Sequence, residues 1–151
     1  MKLFLCAVSL LCVGSLFAAG TVAETRESND ELVQRITLSW TADTNGAVAV
    51  TSQPVRGEMS RVVFYNGTAA PTGATYGVTL KDVNGIDVLA GQGSAVASNA
   101  LASASQIVPG ILKVWTLGST NLEPIVVNGK LSLAVTGVGS NQQGVVVIYT
   151  K

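Results

Sequence analysis

Histidine is absent from this chain of 151 residues. That removes Ser-His-Asp and Cys-His nucleophilic machinery, and with it the commonest metal-binding side chain. Cysteine occurs only at Cys6 and Cys12, both inside the first apolar run, so the remaining chain can hold neither a disulfide framework nor a thiolate metal site. Charged side chains are 12% of the total against 48% hydrophobic, with Lys+Arg and Asp+Glu equal at 9 each. So apolar a composition is not that of a disordered chain. With no Lys/Arg cluster there is no electrostatic footprint for nucleic acid. Aromatic residues, at 5%, are too few to line a sugar-stacking cleft. No Ser-x-x-Lys spacing occurs, and Gly91-Gln92-Gly93 lacks the third glycine and following acid of a dinucleotide fingerprint. The expected role is non-enzymatic, with no catalytic residue, cofactor, metal or small-molecule substrate.

Glycine, alanine, serine, threonine and valine take the place of charge, a composition that leans toward β structure. The length allows one domain with a real core. Ile36, Leu38 and Trp40 alternate with Thr37, Ser39 and Thr41, the period-2 pattern of a strand wet on one side. Val48 and Val50 continue after Asn45-Gly46, and Gln53-Pro54 breaks the run because proline cannot donate to a ladder. Met59–Tyr65 is the next strand. Tyr76, Val78 and Leu80 then alternate toward Asn84-Gly85, and the chain returns through Ile86, Val88 and Ala90, which predicts a tight hairpin. Gly91–Gln106 is either a short helix or an irregular excursion, its alanines opposed by serines that compete for backbone hydrogen bonds. Four Asn-Gly pairs, at 45–46, 66–67, 84–85 and 128–129, read as turns between strands. ITLSWTADTNGAVAV and LSLAVTGVGSNQQGVVVIYT share one build and read as two similar hairpins. The expected fold is all-β, an antiparallel sandwich or small barrel over 36–151 with one possible short helix.

Met1–Ala23 has one basic residue, Lys2, then the apolar stretch Leu3–Phe17, then small residues. This is the layout of a secretory leader cut after Ala18-Ala19-Gly20 or after Thr21-Val22-Ala23. The alternative is a retained apolar helix, shorter than the roughly 20 residues a membrane span needs. Residues 24–35 are polar and aperiodic and read as a linker.

Asp82 and Asp87 flank the Asn84-Gly85 turn. Two carboxylates there suggest a calcium site, but the spacing is not that of an EF-hand, and aspartate beside a turn ordinarily accepts backbone N–H bonds.

Gly67–Thr72, Tyr76–Asp82, Gly85–Gly91 and the closing Gly144–Tyr149 together resemble a family of small tailed-bacteriophage structural proteins, over about Ile36–Lys151. The resemblance implies a virion accessory role: capsid decoration, head fibre or tail-associated module, with other virion proteins and copies of itself as partners, a trimer by analogy. Members of that family lack a secretory leader, so a cleaved Met1–Ala23 would mean the domain has been reused for export as a secreted or periplasmic binding module. Arg56, Arg61, Trp115 and Tyr149 are the candidate interaction residues, since Arg, Trp and Tyr are enriched at interface hot spots. Gly144–Thr150 carries neither charge nor proline, so it must lie centrally in its own sheet or pair with another subunit.

Overall fold

Alternating burial builds two sheets. The computed structural model describes residues 20–29, 33–73, 75–97, 105–107, 113–115 and 122–151. Twelve strands run through them: β1 (Thr21–Asn29), β2 (Val33–Thr41), β3 (Val48–Thr51), β4 (Val55–Asn66), β5 (Thr75–Lys81), β6 (Val96–Ala97), β7 (Ser105–Ile107), β8 (Lys113–Trp115), β9 (Leu122–Pro124), β10 (Val126–Gly129), β11 (Ser132–Thr136) and β12 (Gln143–Thr150). The larger sheet has the order β1-β2-β12-β4-β10, with β7 also on β4, and the smaller has β3-β11-β5-β6. β8 and β9 pair with each other. All pairings between named strands are antiparallel. The core lies between the sheets. Ile36, Leu38, Val62, Phe64, Val146 and Ile148 come from one side and Val48, Val78, Leu80, Leu133 and Val135 from the other, all within one cluster. The fold is an all-β antiparallel sandwich, as the alternation predicts.

The two similar segments are not hairpins. β2 belongs to the larger sheet and β3 to the smaller; β11 belongs to the smaller and β12 to the larger. Each segment is an arch that crosses between sheets. The arches stack, because β2 pairs with β12 and β3 with β11. Their crossings touch: Ala42 N–H donates to the Gln142 carbonyl at 2.8 Å. A Cβ on Gly46 (φ +72) would stand 1.8 Å from the Val138 carbonyl oxygen, so only glycine permits the approach.

β12 is central, hydrogen-bonded to β2 on one side and β4 on the other. Its uncharged edges are therefore both used within the chain, and it gives no reason for a second subunit.

Three other expectations are corrected. Of the polar linker over 24–35, residues 24–29 belong to β1 and 33–35 open β2, while 30–32 lie outside the described residues, so the domain extends at least to Thr21. β1 is an edge strand, and edges are kept from pairing with foreign strands by charge, including charge turned inward. Val22, Glu24 and Arg26 face the sandwich, and the last two form a 2.6 Å ion pair. Glu24 accepts from Gln53 N–H at 2.9 Å, while Arg26 donates to the Pro54 and Gln53 carbonyls at 2.8 and 2.9 Å. The pair ties the edge to the β3–β4 connection.

The hairpin after β5 closes but does not continue. Lys81 and Asp87 form a single bridge, after which the chain runs in successive turns through Ala95. Asp87 holds those turns, its carboxylate accepting from the amides of Leu80, Leu89 and Gly91 at 3.2, 3.1 and 3.0 Å. Of the region offered as a short helix, the described residues are turn and strand, and 98–104 lie outside them.

Only two of the Asn-Gly pairs are turns. Asp43 Oδ1 accepts from Asn45 and Ala47 N–H, both at 2.8 Å, and Asp82 Oδ1 from Asn84 and Ile86 N–H, both at 2.9 Å. The glycines between have φ +72 and +80. Asn66 and Asn128 are strand residues, paired with Gly144 and Arg56. What distinguishes the turns is an aspartate two places before the asparagine.

Trp40 lies over Gly144, its cross-strand partner, and meets Tyr76 of the opposite sheet edge-to-face with ring centroids 5.9 Å apart. A Cβ on Gly144 would fall 2.3 Å from the indole ring. Gly144→Ala is expected to destabilise the fold by about 1–3 kcal/mol, the usual effect of overpacking; urea unfolding with an unchanged midpoint would contradict this contact. Burial pushes the Tyr76 phenol up to about 12 from 10.0. A raised pKa contributes stability that is whole below pH 10 and lost as pH rises toward 12. Across that window the wild type should lose stability faster than Tyr76→Phe, by about 1 kcal/mol per pH unit. Parallel curves of unfolding free energy against pH for the two proteins would show that the ring is not buried as described.

Candidate interaction face

The outward side of the larger sheet carries the clearest concentration of interaction chemistry among the described residues. Register sets it out in rows. Glu27 pairs with Arg35, Arg35 with Tyr149, and Tyr149 with Arg61, so one row runs from β1 through β2 and β12 to β4. The next row is Thr25, Thr37, Val147 and Val63, with Gln106 of β7 beside Val63. The third is Ala23, Ser39, Val145 and Tyr65.

Arg35 and Arg61 differ in how their charge is held. Arg35 Nη1 donates to Glu27 Oε2 at 2.8 Å, and that carboxylate holds the guanidinium pKa above its ordinary value. Arg61 has no carboxylate partner among the described residues. Its guanidinium sits 5.4 Å from the centre of the Tyr149 ring, a cation–π arrangement. The Nε atoms of both arginines are covered and lack an acceptor. A β-bulge helps to set this up. Ser60 is an extra residue in β4 between the pairs Tyr149–Arg61 and Thr150–Met59, and its hydroxyl donates to the Tyr149 carbonyl at 3.1 Å.

Val63 and Val147, at 0% and 1% exposure, are buried on this face although it points away from the inter-sheet core. The row of arginines thus borders two valines already covered within the chain, with Tyr65, 38% exposed, on their other side.

Of the four residues singled out in the sequence, the fold brings Arg61 and Tyr149 into contact. Arg56 is exposed at the far end of β4, opposite Asn128. Trp115 lies in β8 opposite Leu122, and its side chain is outside the described residues. Arg35 was missed; its signal is that it stands one residue before the alternating run Ile36–Thr41, on that strand's polar face.

Asp82 and Asp87 do not converge on an open site, because each carboxylate accepts backbone amides of its own loop. Among the described residues no group of three or more Asp, Glu, His or Cys side chains is placed to hold a metal ion. Beside that loop Val83, Ile86 and Val126 form a smaller apolar patch, 65%, 58% and 70% exposed. Among the described residues no helix is long and apolar enough to cross a membrane.

A double-mutant cycle on Arg61→Met and Tyr149→Leu tests the stacked pair. Coupling of about 0.5–1 kcal/mol is expected for a half-exposed cation–π contact; additive losses would mean that the two side chains act independently. Set against family models, curated proteins and solved structures, the chain matches none.

Proposed function

We propose that this chain is a non-enzymatic structural module that works by association, as its resemblance to phage virion accessory proteins implies. One observation carries the reading. Arg61 presents a guanidinium stacked on an aromatic ring, with no carboxylate partner among the described residues. Stacked arginine with tyrosine is a composition that interfaces favour, and a planar guanidinium can donate two parallel hydrogen bonds to a carboxylate. The partner is a polypeptide bearing an exposed acidic side chain, either another copy of the chain or a neighbouring virion protein. Light scattering at high protein concentration is expected to give an oligomer, which Arg61→Glu weakens by placing like charge against the partner. A strictly monomeric wild type without a second protein bound would remove this reading. Its virion setting is tested separately by mass spectrometry of purified particles, where absence of the chain would exclude it.

A second reading, a secreted or periplasmic binding module, is favoured by a specific observation at the other end of the sheet. β1 opens at Thr21, immediately after the small triplet Ala18-Ala19-Gly20 that follows the apolar stretch. In this reading the same face binds an acidic partner outside the cytoplasm.

A further inference from the structure

We propose that Asn84 is a site of spontaneous modification, deamidating through the Gly85 nitrogen to aspartate and isoaspartate while the fold holds the other Asn-Gly pairs unreactive. Asparagine before glycine is the dipeptide in which the following amide nitrogen, unhindered by a side chain, reaches the asparagine Cγ. Sequence alone offers four such pairs, at 45–46, 66–67, 84–85 and 128–129. The fold separates them. Asn66 and Asn128 lie in β4 and β10, opposite Gly144 and Arg56, where paired extended backbone keeps the nitrogen from turning back. Asn45 and Asn84 sit in turns of one build. In each, the glycine N–H donates to the carbonyl of the aspartate three places earlier, at 3.1 Å for Gly46 and 3.0 Å for Gly85. In each, Oδ1 of that aspartate accepts two further amides of the turn. Local chemistry therefore does not rank these two.

Their surroundings do. Attack requires the turn to open, so that the glycine nitrogen leaves its acceptor and swings toward Cγ. Gly46 is buried against the Val138 carbonyl, and next to that turn Ala42 N–H bonds the Gln142 carbonyl. Opening there pulls the two arches apart. Val83, Asn84, Gly85 and Ile86 are all exposed, and a Cβ on Gly85 would meet no described atom within 4 Å. Opening here breaks bonds within 82–86 and moves Val83 off Gly129, while the Lys81–Asp87 bridge holds the chain below. A segment with so few buried contacts opens at low cost. The Gly85 nitrogen then gives its proton to a base in solvent and bonds to Asn84 Cγ. The Cγ–Nδ2 bond breaks, Nδ2 leaves as ammonia, and a five-membered imide is closed. One water opens that ring, at Cγ to give aspartate or at the main-chain carbonyl carbon to give isoaspartate. Either product places a negative charge where Asn84 Nδ2 now faces Asp82 Oδ2 at 3.4 Å. Isoaspartate also lengthens the main chain by one carbon, which shifts Ile86 N–H from its bond with Asp82.

The test is incubation of the full folded chain in mildly alkaline buffer, with a parallel sample unfolded in urea, followed by peptide mapping by mass spectrometry. Trypsin places the four pairs on four different peptides. In the folded chain Asn84 is expected to convert roughly tenfold or more faster than Asn45, the advantage that easier local opening confers. Its product should include isoaspartate, read as methyl acceptance from isoaspartyl methyltransferase. In urea the four pairs should convert at similar rates, because only the fold ranks them. Asn84→Gln should remove the fast component and leave Asn45 as slow as before. Conversion of Asn45, Asn66 or Asn128 as fast as Asn84 in the folded chain overturns the proposal. So does a folded Asn84 still intact when the urea sample has converted, or a urea sample that keeps the folded ranking.

Discussion

Everything in the sandwich depends on two arches lying side by side. Because β2 and β3 sit in different sheets and pair with β12 and β11, one stacking decision sets the register of both sheets. A one-residue slip in the larger sheet would turn Ile36, Leu38 and Trp40 outward, and the touching crossings would carry the error into the smaller sheet. Gly46 against the Val138 carbonyl is where this constraint is tightest. Gly144 beneath Trp40 is the same requirement expressed inside the sheet: an indole in the core needs a partner strand with no side chain under it.

Strands with alternating burial were legible, since their period is a local property. Ile36–Thr41, Tyr76–Leu80 and the closing valines read correctly from residue types alone. β1 was not, because its inward side chains include Glu24 and Arg26, which count as polar in any pattern. Their mutual neutralisation and their bonds to Gln53 and Pro54 become visible only when sequence-distant backbone is brought alongside. The Asn-Gly pairs teach a similar lesson at shorter range. The dipeptide permits a turn, but the carboxylate of Asp43 or Asp82 two places earlier makes one, by accepting the amides that a turn would otherwise leave open. Arch and hairpin remained indistinguishable, for both are strand, loop, strand in sequence.

The interaction face was half legible. Composition picks out Arg61 and Tyr149 singly, yet their stacking arises from pairing between strands 89 positions apart in the case of Ser60 and Tyr149, offset by a bulge that no local pattern announces. Arg35 enters the row by the same pairing. Val63 and Val147 show the limit from the other side: valine in a strand is expected to be buried, but which of the two faces buries it depends on what the opposite face meets.

The central position of β12 has a consequence for how the molecule is made. β12 follows every other strand of the larger sheet in sequence and joins β2 to β4, so that sheet has no middle until residues 143–150 are made. Its contacts are long in sequence, which is the topology of slow folding. A nascent or prematurely ended chain would hold β2 and β4 as open edges, available to chaperones and to misassociation alike. Ordering of the core thus waits on β12, and the inward faces of β2 and β4 are held side by side only once it arrives.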